Sequence, residues 1–221
     1  MQQINQNMFE DIIFEIEKSH GCNITKSEVV IYLEALERNI KYIKKRLDQN
    51  HIYNFIEHGE RIFQPTLELS IAAGCPHNEA LFNAYAARIH DIGKNLVSRY
   101  ILNKYTSLID NEREELRKHV FYGTNFVSTF PELSKIVKHH HEWYNGKGYP
   151  DKLKNDAIPL GSRIIAITEC WDAMTFKRHY SIPKSTDEAK TELENHAGKQ
   201  FDPKLVKLFL NNMLYNQMSK P

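Results

Sequence analysis

Apolar residues in this chain recur three and four positions apart in most windows, while the β-branched alternation of strands is scarce. Only nine glycines and eight prolines interrupt the pattern, so the sequence reads as nearly all helix. Phe9, Ile12, Ile13 and Ile16 form one stripe, closed by Gly21. Thr25 or Ser27 then offers a cap for a second stripe of Leu33, Leu36, Ile40, Ile43 and Leu47. That seam suits either a homodimer contact through the N-terminal helices or a helix packed on its own domain. From Tyr53 onward the spacing predicts helices over 53–73, 78–91, 111–127, 132–141, 161–176, 186–196 and 203–218. Pro65 predicts a kink or a restart inside the first of these, because an interior proline removes a backbone donor and costs about 3 kcal/mol. Turn residues from Asn145 to Pro159 predict a loop.

Composition narrows the classes. With 221 residues, 41% hydrophobic and 26% charged, the chain suits one globular domain over 51–221 behind a helical N-terminal extension over 1–50. Twenty-nine Lys and Arg against 28 Asp and Glu leave a net charge of +1, which argues against a protein that coats duplex nucleic acid or a membrane surface. Cys22, Cys75 and Cys170 form no C-x-x-C pair and leave one over in any disulfide scheme, the usage of a reducing, cytoplasmic compartment. The first residues are polar and acidic where a signal peptide is basic and then apolar, and no apolar run approaches membrane-spanning length.

Histidine is the unusual count, at 11, with His139, His140 and His141 consecutive. His90-Asp91-Ile92-Gly93-Lys94 ends an apolar helical stretch and sets an imidazole beside a carboxylate, a pairing that suits a borderline divalent cation. A lone histidine in such a place is ordinarily a solvated or hydrogen-bonded core residue. His58, His90, His119, His140 and His141 each fall in or at the end of a predicted helix, and with Asp91 and a later acid they supply enough nitrogen and oxygen ligands for two ions.

These residues resemble the HD-GYP branch of the HD superfamily of metal-dependent phosphohydrolases, over about residues 53 to 210. His58 to Ile62 is similar to the first-histidine motif of that family, and His90-Asp91 to the motif that gives it its name. Ile101 to Lys104, Leu108 and Glu112 lead to His119 as they do there. The block from His140 to Pro150 matches the histidine pair and the Gly148-Tyr149-Pro150 tripeptide, followed by Ile158 to Leu160, Arg163, Ile164, Asp172 to Thr175, Arg178, Tyr180 and Gly198 to Pro203.

The resemblance implies an all-α, HD-type helical bundle and hydrolysis of a cyclic dinucleotide, cyclic di-GMP foremost, to the linear dinucleotide and on to mononucleotide. It implies two divalent metal ions, iron or manganese favoured, held by His58, His90, Asp91, His119, His140, His141 and Glu169. Asp91 would bridge them and Lys94 would contact a phosphate oxygen, so Asp91 and Lys94 are the candidate catalytic residues. The two ions would activate a water for attack on the phosphodiester and clamp its oxygens. Asn145, Gly148, Tyr149, Pro150 and Arg178 are the candidate substrate contacts, and the same loop is a candidate surface for a signalling-protein partner. Tyr149 offers a face for a base or an anchor against the site wall.

The chain departs from the family pattern in several places. Glu169 stands where the family usually has aspartate, Asn54 where some members carry a glutamate serving a third metal, and Asn145 where aspartate is usual. His179 replaces a proline and Ser181 a basic residue. These changes keep two other readings open: a phosphohydrolase acting on another nucleotide, and a weakly active cyclic-dinucleotide receptor or adaptor.

Overall fold

The computed structural model describes residues 55–128, 130–176 and 182–212, together with Arg38. Apart from Arg38, the N-terminal extension lies outside the described residues, as do Asn54, Arg178, His179 and Ser181. The described chain is helical, its one bridge pairing Ala197 with Phe201. Helices α1 (Phe55–Ala72) and α2 (His77–Ile89) lead to a 3-10 turn over Ile92–Leu96. Then come α3 (Arg99–Leu102), α4 (Asp110–Arg117), α5 (His119–Phe126) and α6 (Pro131–His139). A long loop with a second 3-10 turn at Asn155–Ala157 precedes α7 (Leu160–Thr175), α8 (Thr186–His196) and α9 (Pro203–Asn211).

Helix α7 is the axis of the bundle. Ile164, Ile165, Ile167 and Trp171 are buried on it, and it packs against α1, α2, α6, α8 and α9. A hydrophobic all-round helix of this kind belongs in a core, not on a surface. Start signals in the sequence are used as written. Ser185 and Glu188 form a reciprocal capping box at α8, and Asp202 caps α9 ahead of Pro203.

One sequence expectation is narrowed and one corrected. Of the kink or restart expected at Pro65, the restart does not occur: helix α1 passes through, because buried Ile62, Pro65, Leu67 and Leu69 around it hold both halves on the core. Tertiary burial there outweighs a local cost of about 3 kcal/mol. The single helix expected over 111–127 is two, with the break at Lys118. That break turns the chain so that His119 opens α5 as a buried residue instead of continuing the polar, exposed face of α4. The short α3 and both 3-10 turns carry too few residues for periodicity to announce them.

Candidate metal centre

Every histidine and carboxylate expected as a ligand comes to one place, from within or just beyond the ends of five helices. His58 comes from α1, His90 and Asp91 from the end of α2, His119 from the start of α5, His140 and His141 from the end of α6, and Glu169 from α7. They fall into two groups that share one member. Asp91, His119, His140 and His141 form the first, and His58, His90, Asp91 and Glu169 the second; within each group the ligand atoms lie within 4.8 Å of one another. The two oxygens of Asp91 divide between them. Oδ2 lies 3.4 Å from His90 Nε2, while Oδ1 lies 3.5 Å from His119 Nε2 and 4.0 Å from His140 Nε2.

Three of the rings, those of His90, His119 and His140, are oriented by backbone carbonyls. Nδ1 lies 2.7 Å from the Ala87 carbonyl oxygen in His90, 2.7 Å from that of Leu116 in His119, and 2.6 Å from that of Val137 in His140. A carbonyl oxygen only accepts, so each Nδ1 carries a proton, and the neutral rings of His119 and His140 turn bare Nε2 lone pairs inward. The result is acceptors facing acceptors. His119 and His140 Nε2 stand 3.4 Å apart beside Asp91 Oδ1, with no proton left to share among the three atoms. His58 Nε2, His90 Nε2 and Asp91 Oδ1 are buried without a hydrogen-bond partner among the described residues. Such atoms cost about 1–3 kcal/mol each when left alone. A divalent cation satisfies several of them at once, so the donor set fits metal ions of the kind that imidazole and carboxylate select.

Electrostatics agrees with this fit. Burial holds the His119 pKa down at about 3 and lowers those of His140 and His141, keeping these rings neutral. Burial works against ionisation of Asp91 and Glu169 as well. Lys94 and His90 beside Asp91, and His141 and His90 beside Glu169, outweigh it and hold both carboxyls below the usual carboxylate range. At His90 burial disfavours the imidazolium, yet the Asp91 carboxylate prevails and raises the pKa. A field that draws a proton there draws a cation more strongly.

Around the ligands sits an outer tier. Lys94 Nζ lies 2.6 Å from Asp91 Oδ2 at the edge of the cluster. Asp172, quoted in the sequence only as part of a motif, holds His58: its Oδ2 is 2.6 Å from Nδ1. Burial opposes the charge on Asp172, but hydrogen bonds from Arg61 and His58 hold its pKa at about 2. That role lies across two helices, and no local signal could have announced it.

The loop after His141 folds back on the histidine pair. Tyr149 N–H donates to the His141 carbonyl at 3.2 Å, and Asp151 N–H to the buried Glu142 Oε1 at 2.7 Å. Gly148 is pressed so closely on this backbone that a Cβ would stand 2.2 Å from Trp143 N, so only glycine fits. The Tyr149 ring leans on His141, centroids 4.9 Å apart, with the Arg117 guanidinium 5.0 Å over it. Of the two roles open to Tyr149 in the sequence, this geometry suits the wall anchor. Asn145 shapes the turn, its Oδ1 accepting from Lys147 N–H at 3.0 Å, and the Tyr149–Pro150 bond is cis. Arg163 ties the loop's exit to α9 by bonds to Asp156 and Asp202.

Comparison with known proteins accords with this geometry. The HD domain family matches residues 44–205. The chain is 34% identical over 217 residues to 3'3'-cGAMP-specific phosphodiesterase 2 of Vibrio cholerae, covering 96% of this chain and 41% of that protein. It is 37% identical over 131 residues to a cyclic di-GMP phosphodiesterase of Thermotoga maritima, covering 57% of this chain and 36% of that one. The chain thus spans well under half the length of these relatives. Among solved structures, an HDG"Y"P protein from Bdellovibrio bacteriovorus superposes with a TM-score of 0.60 at 16% identity, covering 95% of this chain and 70% of that one, a likeness of fold. With a family match running through every position expected as a ligand, from His58 to Glu169, this chain belongs to the HD domain family.

Proposed function

We propose that the chain hydrolyses a cyclic dinucleotide, opening one phosphodiester of the ring to leave the linear dinucleotide. What carries this reading is the division of Asp91, one oxygen toward each of two ligand groups, which is the layout of a binuclear phosphodiesterase centre. His58, His90 and Glu169 would hold one divalent ion, His119, His140 and His141 the other, with Asp91 common to both; iron or manganese suits these ligands. When bound, such a pair supplies Lewis acidity, offsetting charge on the phosphate oxygens and bringing the pKa of a water toward neutrality.

The chain's own residues do the rest. Burial keeps the rings of His119, His140 and His141 neutral, so their lone pairs stay free for ligation at neutral pH. Lys94 sits at the edge of the cluster, its side chain 13% exposed, and can swing from Asp91 to a nonbridging phosphate oxygen as charge builds there. Tyr149, Gly148 and Pro150, on a turn shaped by Asn145, wall the centre beside His141, where the rest of the dinucleotide would lie. Arg178 joins them as a phosphate contact on the strength of the resemblance.

The relatives' names divide between cyclic di-GMP and 3'3'-cGAMP, and the long alignment to a 3'3'-cGAMP-specific enzyme puts that ring beside cyclic di-GMP as a substrate to test. The test is a Mn2+-loaded sample given each ring in turn, with products separated by chromatography. The expected outcome is a linear dinucleotide from at least one, abolished by chelation. Protein that holds two equivalents of metal and opens neither ring would overturn the reading in favour of a receptor.

A further inference from the structure

Two helices cross beside one half of the centre, and each contributes a pair of side chains one turn apart. On α1 these are His58 and Arg61; on α7 they are Glu169 and Asp172. Residues three apart share a helix face, so the four form a ladder between the helices. The inner rung is His58 and Glu169, which belong to the same ligand group. The outer rung is an ion pair in fork geometry: Arg61 Nε lies 2.7 Å from Asp172 Oδ1 and Nη2 2.9 Å from Oδ2. Asp172 Oδ2 is also the atom that takes His58 Nδ1, at 2.6 Å, so a diagonal joins the rungs.

Asp172 is buried, its side chain 1% exposed, whereas Arg61 is 25% exposed. The face of the guanidinium is covered, however, by the Phe176 ring, 3.7 Å from the carbon at its centre. A planar fork matches a carboxylate at two points and stacks on an aromatic face, neither of which an ammonium can do. Arg61 is thereby fixed in direction, and through Asp172 so is the angle at which His58 presents Nε2. The other ligand group draws His119 from α5 and His140 and His141 from α6, elements outside this ladder.

We propose that Arg61 is a positioning residue for one half of the centre: its fork onto Asp172, seated on Phe176, sets the metal affinity of the His58–His90–Glu169 half and leaves the His119–His140–His141 half unchanged. This rests on the two-ion reading above. It makes the halves separable, with one tuned from the α1–α7 crossing and the other not.

The test is titration of the metal-free protein with Mn2+, following free Mn2+ by electron paramagnetic resonance. Loss of an outer hydrogen-bond partner costs about 10–100-fold in metal affinity. Arg61→Ala, which leaves the His58–Asp172 bond but frees its carboxylate to turn, should weaken one of two Mn2+ equivalents by about tenfold, the low end of that range, and leave the other within about twofold. Arg61→Lys, which keeps the charge but not the fork, should fall between. In the metal-free protein the Nδ1 proton of His58 should give a downfield, exchange-protected resonance that Arg61→Ala shifts or removes. Equal weakening of both equivalents, or of neither, overturns the proposal, and if the alanine variant does not fold the lysine variant decides by the same criterion. His58→Gln separates this from the parent reading. That variant should lose one equivalent outright, and two full equivalents in it would overturn the centre itself, whereas a silent Arg61 removes only the coupling.

Discussion

Glu169 enters the centre with Oε1 4.0 Å from His90 Nε2 and its side chain 19% exposed, more open than His58, His90, Asp91, His119 or His140. One methylene longer than the aspartate usual in the family, it reaches in from α7, one turn before Asp172. Glu169→Gln should therefore lower metal affinity in the His58 half by more than about 100-fold, beyond the cost of losing an outer partner. Glu169→Asp keeps the charge and loses reach, so it should retain more metal than the glutamine variant; equilibrium dialysis against Mn2+ compares them. If the glutamine variant holds metal as tightly as the parent chain, another group closes the site. At this scale the cluster of histidines and carboxylates was legible because imidazole and carboxylate side chains announce themselves by type. Asp172 and Arg61 were not, because their role lies in which helix they face.

Between elements, the closest approach in the site is backbone on backbone. The 3-10 turn after Asp91 packs on α5 so tightly that a Cβ on Gly93 would stand 1.9 Å from the His119 carbonyl oxygen and 2.5 Å from Gly123 N. Neither atom can swing aside, so Gly93→Ala must push the turn from α5 and draw Asp91 away from His119. The cost of such overpacking is about 1–3 kcal/mol, and about 2–4 °C of Tm accompanies each kcal/mol in a domain of this size. Thermal unfolding should register that fall, and elemental analysis a loss of metal beside it. Unchanged Tm and metal content would mean the turn yields freely. The helices themselves were legible in the apolar spacing, since period and burial agree along α6, at Leu133, Ile136 and Val137, and along α9, at Leu205, Val206 and Phe209. The break at Lys118 was not, because it comes from the turn packing against α5, a contact distant in sequence.

For the molecule as a whole, the centre is where the fold stores unmet demand. Three buried acceptor atoms without partners and two ionised carboxylates lie among helices that hold the core together. A ligand that binds only the folded state stabilises it by mass action, about 2.7 kcal/mol at a hundredfold excess over Kd. Removing the metal with a chelator and re-adding Mn2+ at that excess should raise Tm by about 5–10 °C. A melting curve indifferent to Mn2+ would show that the acceptors are satisfied in some other way. The architecture was legible as a helical bundle, while its arrangement around α7 was not, because the order in which helices meet is decided by side-chain shape and not by period.

The three carbonyls that hold His90, His119 and His140 also end their helices: Ala87, Leu116 and Val137 lie in the last turns of α2, α4 and α6. The negative ends of three helix macrodipoles therefore converge on one point, relayed through the imidazole rings. The backbone itself, before any carboxylate is counted, makes that point attractive to cations and hostile to phosphate. On the proposed function, an anionic dinucleotide would meet repulsion in the metal-free centre and attraction in the loaded one, so metal would bind first and nucleotide second.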